Sequence, residues 1–259
     1  TNTQTIGLNP FHIGKEYFVK ALQSDVNHNL GINADKIKEI YFYGAGCGAE
    51  QKQAEVKKWL SSIYTNAYVE VASDLLAAAR ACCANEAGMV VILGTGSNSC
   101  VYDGQKIIDR QISLGYILGD EGSGAYLGKQ LIKMILEEKL PQHVIQKFYA
   151  AYPISLGELL DNIYNKPLAN RYLASFTKFI GDNIEERALQ VLVKAAFDKF
   201  IDNNLRKYKN YKSYIVNCVG SMAWHFKELF KECCAERGLV CDNFVLKPIG
   251  GLIEFHKAK

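Results

Sequence analysis

The sequence lacks a strong bias toward either sign of charge. Of its 259 residues, 22% are charged, and the formal net charge is only +3. Proteins that bind nucleic acid or an anionic membrane surface usually concentrate basic residues, and this chain shows no such concentration. We therefore expect neither a nucleic acid nor a membrane as a partner.

Long apolar runs are also missing. The most apolar stretch, residues 88–93, is far shorter than the roughly 20 residues that cross a bilayer as a helix. The opening TNTQTIGLNP is polar and does not have the pattern of a signal peptide. These features predict a cytoplasmic protein.

Cysteine is not scarce, but it lacks the spacing of a metal site. None of the eight cysteines forms a CxxC pair, and the five histidines do not stand at ligand spacing to them. Free, mostly buried thiols of a cytosolic protein are the favoured interpretation, and a zinc or iron–sulfur site is the less favoured one. The cysteines are Cys47, Cys82, Cys83, Cys100, Cys218, Cys233, Cys234 and Cys241.

What is present is an alternation of strand and helix patterns. Near the start, a predicted helix (14–29) precedes a strand (38–43), a helix (49–62), a short strand (68–72) and a helix (74–84). This order favours parallel α/β construction. Three strands follow (89–93, 99–102 and 105–109), and the dipeptide DG at 103–104 predicts a hairpin between the last two.

The rest of the chain continues the α/β pattern. A long helical tract spans 122–208 and is interrupted by Pro141, Pro153 and Pro167. The last predicted elements are a strand (214–219), a helix (221–237), a strand (243–246) and a closing helix from Pro248.

The stretch VILGTGSNSC changes from a buried strand into a turn of small residues. Gly94 and Gly96 allow close approach of the backbone to a ligand, and Thr95 and Ser97 add hydroxyl donors. Successive backbone N–H groups in such a turn can point at one anion, so the segment is a candidate phosphate cradle at a hairpin tip. An ordinary glycine–serine hairpin remains the alternative.

Other turns at strand ends carry polar groups. Asp120 and Glu121 lie in GDEGSG before a helix, where they could bind a polyol or help to hold Mg²⁺, or could simply cap the helix. Asp74 begins the helix 74–84, and considered alone it is best explained as a cap. Further candidates are the glycines at 44–46 and the pair Gly220–Ser221.

The segments LGTGSNS (93–99) and LGYILGDEGSGAYLG (114–128) resemble those of a known family. This is the N-acetylglucosamine kinase group within the BadF/BadG/BcrA/BcrD ATPase-like proteins, which belong to the actin-like, sugar kinase and Hsp70 superfamily. The similarity extends over nearly the whole chain and is greatest to bacterial members of Bacteroides type.

The resemblance implies an α/β protein with the actin-like ATPase fold, in which two ribonuclease H-like domains flank a nucleotide cleft. It implies ATP and Mg²⁺ as cofactors and phosphorylation of N-acetylglucosamine or a related hexosamine. The partners are then a small-molecule sugar and a nucleotide, with a homodimer left open. The vertebrate kinase has Gly and Trp where this chain has Ser113 and Leu114, so the resemblance does not fix the sugar.

The resemblance also implies residue roles. Asp74 matches the catalytic aspartate of the sugar kinases. The phosphate loop and the adenosine-binding turn match one set of residues, and the sugar-binding positions match another. The ATP-binding set is Gly94, Thr95, Gly96, Ser97, Gly220 and Ser221, and the sugar-binding set is Asn9, Asn98 and Asp120.

Two domains are expected. Residues 1–85 would form an N-terminal α/β domain that the closing helix 248–259 completes, and residues 86–247 a C-terminal α/β domain with a helical insertion. The N-terminal domain has only two clear strands, fewer than a stable sheet usually needs. Members of the family begin with a hairpin that carries a first phosphate loop of the type D-x-G-x-T-K-T, and no segment here matches it. We expect roughly 20–30 further residues upstream, enough for such a hairpin.

Two alternatives to a sugar kinase stay open. One is an ATPase that activates a partner enzyme, as BadF-type proteins do through an iron–sulfur cluster held by cysteines; Cys47 in GAGCGAE is the one cysteine here in a glycine-rich context. The other is a non-catalytic sensor of a sugar or nucleotide.

Overall fold

The computed structural model describes residues 3–5, 7–11 and 13–258. Residues 1, 2, 6, 12 and 259, which fall within the predicted N-terminal domain, lie outside this description. The chain divides into two compact units at Ala77–Ala78, inside one helix. The predicted domain boundary at residue 85, and the predicted assignment of the closing helix to the first domain, stay predictions.

The N-terminal unit contains a β–α–β motif preceded by helical segments. Strand β1 (Glu39–Gly44) runs parallel to β2 (Tyr68–Ser73), and helix α2 (Glu50–Ser61) connects them. Helix α1 (Lys15–Ala21) continues as a π-helical segment, Leu22–His28. Together the two segments correspond to the helix predicted over 14–29. A 3₁₀ turn, Ala34–Lys36, follows.

An aromatic cluster fills the core of this unit. Phe18 of α1 is fully buried and packs against Phe42 of β1 and Trp59 of α2, with ring centroids 5.5 and 5.3 Å away. Because these residues come from three different elements, their mutual packing fixes the helices on the two-stranded sheet.

The C-terminal unit is built on a five-stranded sheet with the order β5-β4-β3-β6-β7. The first three strands form consecutive antiparallel hairpins, while β6 and β7 add in parallel on the other side of β3. The strands are β3 (Ala87–Leu93), β4 (Ser97–Asp103), β5 (Ile107–Arg110), β6 (Ile215–Val219) and β7 (Val240–Val245). The predicted DG hairpin is confirmed, because β4 and β5 pair antiparallel on either side of it. Asp103 Oδ1 stabilises the turn by accepting hydrogen bonds from the backbone N–H groups of residues 105 and 106.

Helices account for most of the remaining chain. The predicted interruptions at the three prolines are confirmed, and the tract contains two further breaks, near Phe176 and at 183–186. The single helix predicted over 221–237 is wrong: Phe226 leaves helical geometry (ψ 29°) to bury its ring, which divides the segment. The helices are α3 (Asp74–Cys83), α4 (Gly115–Leu118), α5 (Gly124–Leu136), α6 (Gln142–Ala151), α7 (Leu156–Tyr164), α8 (Ala169–Ser175), α9 (Thr177–Asp182), α10 (Arg187–Asn203), α11 (Ser221–His225), α12 (Lys227–Ala235) and α13 (Ile249–Lys257).

All eight cysteines are free thiols and most are buried, as predicted. In the described part of the chain, no helix combines the length and the apolar character needed to cross a membrane.

Helices α5 and α8 pack so closely that a glycine is required between them. A methyl group at Gly128 would collide with the backbone carbonyl of Leu173, which a side-chain adjustment cannot relieve. We predict that Gly128→Ala lowers the free energy of unfolding by about 1–3 kcal/mol, the usual cost of overpacking. Thermal or urea unfolding measures the change.

The matched control is Gly157→Ala in α7, where no atom lies within 4 Å of the added carbon. It should leave stability unchanged or raise it by up to about 1 kcal/mol, because alanine favours helix. Equal effects of the two substitutions would contradict the packing argument.

Candidate functional site

Two carbonyl groups of the turn between β3 and β4 accept hydrogen bonds from a helix. Leu93 pairs with Ser97, so the turn consists of residues 94–96. The first backbone N–H groups of α5 donate to it: Gly124 N–H to Gly94 O at 2.7 Å and Ala125 N–H to Thr95 O at 3.0 Å. Gly94 N–H donates to Gly96 O at 3.0 Å.

Two N–H groups of the same turn have no backbone hydrogen-bond partner among the described residues. Within the described residues, the N–H groups of Thr95 and Gly96 donate no hydrogen bond to another backbone group. A carbon attached to Gly94 would have no atom within 4 Å, so that side of the turn is open. Successive N–H donors at an open turn are the arrangement that binds a phosphate oxygen.

Gly220 lies directly against this turn. Strand β6 runs parallel to β3, with Val219 paired with Ile92, and therefore ends at the same edge of the sheet. Gly220 has φ +115°, and a Cβ there would collide with Leu93 O and lie 3.1 Å from Gly94 N. Only glycine combines this φ with this approach, so the structure brings the two predicted nucleotide-binding turns together.

Asp120 lies next to the turn. Its Oδ2 would lie 2.9 Å from a carbon added at Gly96. Its backbone is left-handed (φ +56°), which is uncommon outside glycine but tolerated by aspartate. Burial raises the pKa of the Asp120 carboxyl, and the Ser97 N–H opposes that shift.

A cavity of about 500 Å³ opens beside Asp120. Asn98, a predicted sugar-binding residue, lines it with Asp120, and its Oδ1 accepts the Ser99 N–H at 2.9 Å. The volume lies within the range of small-molecule sites. Three polar side chains from the end of α10 and the turn after it also line the cavity: Asn203, Asn204 and Lys207.

A hydrogen bond holds Asn203 in the cavity wall. Its Nδ2 donates to Glu121 Oε1 at 2.9 Å, which ties the end of α10 to the acidic turn. The one available sequence signal was the doubled asparagine at the end of a helix, and such a pair is equally typical of a helix C-terminus. These positions could therefore not be recognised from sequence.

In the N-terminal unit, Asp74 follows directly after β2. Its Oδ1 accepts the Leu75 N–H at 2.9 Å, whereas the Leu76 N–H is capped by Ser73 Oγ at 3.2 Å. Burial raises the pKa of the Asp74 carboxyl, partly offset by the Leu75 N–H. Since Ser73 serves as a cap as well, capping alone does not account for a partly buried carboxylate here.

Asn9 lies at the glycine turn that follows β1. Its Oδ1 accepts the Phe11 N–H at 3.0 Å and would lie 2.5 Å from a carbon added at Gly46. Cys47 of the same turn is close enough to Asp74 for the negative carboxylate to raise the pKa of the thiol, although burial is the larger cause. The structure thus brings Asn9 to the turn 44–48, whose Cys47 is a neighbour of Asp74.

Among the described residues, no group of three or more His, Cys, Asp or Glu side chains is arranged to hold a metal ion. A protein-only metal cage is therefore absent from that part of the chain.

Comparison with solved structures defines the class. The chain is similar to a protein from Chromobacterium violaceum that is provisionally assigned as an N-acetylglucosamine kinase (TM-score 0.65, 17% identity, 93% of this chain and 85% of that one). It is also similar to a ROK family glucokinase from Streptomyces griseus in complex with glucose and AMPPNP (TM-score 0.51, 14% identity, 94% and 87%). These similarities show the actin-like ATPase and sugar kinase fold, as the sequence predicted.

A nearer relative defines the family. A protein from Porphyromonas gingivalis, provisionally assigned as an N-acetylglucosamine kinase, matches 99% of this chain and 90% of its own at 38% identity, with a TM-score of 0.95. The chain belongs to this family of N-acetylglucosamine kinase-like proteins. No protein-family profile matches it, and no curated protein matches it by sequence.

The raised pKa of Asp120 predicts a gain in stability on its neutralisation. A carboxyl whose pKa is higher in the folded state binds its proton more tightly there, so the charged form opposes folding once pH exceeds the unfolded pKa of about 3.9. Asp120→Asn keeps the size of the side chain and tolerates the positive φ. We expect a higher melting temperature than the parent at pH 7 and a smaller difference as pH falls toward 4.

Asp103→Asn is the control of opposite sign. Backbone N–H groups at residues 106 and 105 lower the pKa of Asp103, so its charge supports folding above the unfolded pKa. This variant should be less stable than the parent at pH 7 and approach it as pH falls. A less stable Asp120→Asn at pH 7 would show that burial does not dominate at Asp120.

Proposed function

We propose that this protein transfers the γ-phosphoryl group of ATP to a hydroxyl group of N-acetylglucosamine or a related hexosamine. The observation that carries the proposal is the turn 94–96. Helix α5 holds the carbonyls of Gly94 and Thr95, and the N–H groups of Thr95 and Gly96 donate to no backbone acceptor among the described residues. The similarity to a provisionally assigned N-acetylglucosamine kinase and to a glucokinase that binds glucose supports a sugar as the phosphoryl acceptor.

The nucleotide phosphates would bind at this turn. The N–H groups of Thr95 and Gly96 and the hydroxyl of Ser97 would donate to phosphate oxygens, and the Gly220–Ser221 turn would hold the adenosine. Mg²⁺, when bound, neutralises phosphate charge, and it commonly uses substrate phosphates and water with few protein carboxylates. The lack of a three-residue cage in the described part of the chain is compatible with that mode.

The sugar would bind through Asn98, Asp120 and Asn9. The Asp120 carboxylate and the Asn98 amide line one cavity, and both can form hydrogen bonds with sugar hydroxyls or an acetamido group. The left-handed backbone at Asp120 is strain of the kind that is often retained at functional sites.

Asp74 would act as the general base. The sugar oxygen attacks the γ-phosphorus, the bond to the β–γ bridging oxygen breaks, ADP leaves, and the hydroxyl proton passes to Asp74. Burial raises the pKa of this carboxyl, which strengthens it as a proton acceptor near neutral pH. Activity should consequently fall as pH decreases through that raised pKa, because the protonated form cannot accept the proton.

A coupled assay of ADP release over a panel of hexoses and N-acetylhexosamines tests the function directly. A kinase releases ADP in proportion to phosphorylated sugar. ADP release that no sugar stimulates would favour the ATPase alternative, and ATP binding without any release would favour the sensor.

Substitution of Gly94 tests the phosphate site. A methyl group there meets no protein atom within 4 Å, so the fold should be unaffected and any loss should report contact with the ligand. We expect Gly94→Ala to weaken ATP binding about tenfold, or about 1.4 kcal/mol, in isothermal titration calorimetry. Gly250→Ala is the control, since its added carbon also meets no atom within 4 Å. Unchanged ATP affinity in Gly94→Ala would place the phosphates elsewhere.

Substitution of Asp74 separates catalysis from capping. Asp74→Asn retains an acceptor for the Leu75 N–H but cannot take up a proton, so turnover should fall about 10²–10⁴-fold with little change in melting temperature. Ser73→Ala is the matched control, because it removes the cap on Leu76 and should cost about 1 kcal/mol of stability while turnover is retained. Normal turnover in Asp74→Asn would leave Asp74 a structural residue.

A further inference from the structure

A buried tyrosine hydroxyl group lies behind the wall of the cavity beside Asp120. Tyr208 is 2% exposed and directly follows Lys207, which lines the cavity. Its ring packs in the core of the C-terminal unit, and its backbone N–H donates to Leu205 O at 3.3 Å. A ring packed in this way has little freedom to move, so its hydroxyl group is a fixed point behind the wall.

Two distant segments of the chain meet at this hydroxyl group. Tyr208 Oη lies 2.8 Å from Ser99 Oγ of β4 and accepts the Gln111 N–H at 3.1 Å. Ser99 is 1% exposed, so both hydroxyl groups are shielded from water. Since a tyrosine hydroxyl group both donates and accepts, it can accept from Gln111 and donate to Ser99 at the same time.

The hydrogen bond from Gln111 holds the segment 111–114. All four residues of this segment line the cavity, and two of them are highly exposed, Ile112 at 84% and Leu114 at 58%. Within the described residues, only the first of the four backbone N–H groups donates a hydrogen bond, and Tyr208 accepts it. With so little packing around it, this part of the wall depends on the Tyr208 hydroxyl group for its position.

The contact with Ser99 acts on another part of the same wall. Asn98 precedes Ser99 and lines the cavity, and its Oδ1 accepts the Ser99 N–H at 2.9 Å. A hydroxyl group that fixes Ser99 therefore also fixes the backbone that carries the Asn98 amide. Tyr208 thus connects β4 to the segment 111–114 without lining the cavity itself.

We propose that Tyr208 is a positioning residue for the hexosamine site, a role that rests on the proposed function. Its hydroxyl group holds the segment 111–114 against β4, so that the cavity wall is formed before the sugar enters. Preorganisation of this kind favours binding, because the ligand has fewer groups to order. Tyr208 therefore acts on the binding of the sugar rather than on the binding of ATP or on the chemical step.

Steady-state kinetics of Tyr208→Phe, which removes only the oxygen atom, test this inference. We expect KM for the hexosamine to rise about five- to tenfold, as for the loss of one hydrogen bond, while KM for ATP and kcat change less than about twofold. Amide hydrogen exchange over 111–114 should be faster in the variant than in the parent, and this measurement does not need kinase activity.

Tyr102→Phe is the matched control. Tyr102 is fully buried on β4, and its hydroxyl group donates to Gly104 O at 3.0 Å. Neither residue lines the cavity. This variant should have a lower melting temperature than the parent and unchanged KM values for both substrates.

Two substitutions of Gln111 decide the question if Tyr208→Phe does not fold. Gln111→Pro removes the backbone N–H, whereas Gln111→Ala keeps it, and both variants lose the same polar side chain. KM for the sugar should be about five- to tenfold higher in Gln111→Pro than in Gln111→Ala, since only the first loses the hydrogen bond to Tyr208.

The outcomes separate this inference from the proposed function. A parent that phosphorylates the sugar, with an unchanged sugar KM or unchanged exchange over 111–114 in Tyr208→Phe, would overturn the positioning role alone. Equal sugar KM values in the two Gln111 variants would do the same. A parent that neither binds nor phosphorylates a hexosamine would overturn the proposed function and the positioning role together.

Discussion

The candidate site depends on the hydrogen bonds by which helix α5 holds the β3–β4 turn. The N–H groups of Gly124 and Ala125 have no partners inside their own helix, and they donate to the carbonyls of Gly94 and Thr95. The same two hydrogen bonds therefore give partners to the first N–H groups of the helix and orient the turn. With these two carbonyls engaged by the helix, the N–H groups of Thr95 and Gly96 have no backbone acceptor among the described residues, and a plain hairpin turn becomes a candidate anion site.

Much of the fold was predictable because its signals are local. Alternation of strand and helix patterns, the DG hairpin at 103–104 and the prolines in the helical tract each act over a few residues, and the structure confirms them. The break at Phe226 was missed since a continuous helical pattern crosses it; the break reflects burial of one ring in the tertiary core. Tertiary packing overrode local propensity at that point.

The site was only partly predictable for a related reason. Glycine turns such as 94–96 and 220 have a recognisable composition, whereas their mutual contact depends on β3 and β6 being neighbours, which no local pattern specifies. Asn203 and Lys207 carried no functional signal at all, because they reach the cavity only through the packing of α10 and the turn after it. The role of Asp74 stays a prediction, and the sequence could not show that Ser73 caps the same helix.

The arrangement of the five-stranded sheet connects its central turn to its edge. Strand β3 ends at the turn 94–96, and β6 ends beside that turn at Gly220. The Gly220 N–H donates to Val245 O of β7 at 2.9 Å. Because Gly220 has a positive φ and almost no free space, it cannot shift without affecting either Leu93 or Val245. The backbone of β7 therefore helps to hold Gly220, and with it the candidate nucleotide site, in place. A displacement of this edge strand would reach Gly220 through a single hydrogen bond.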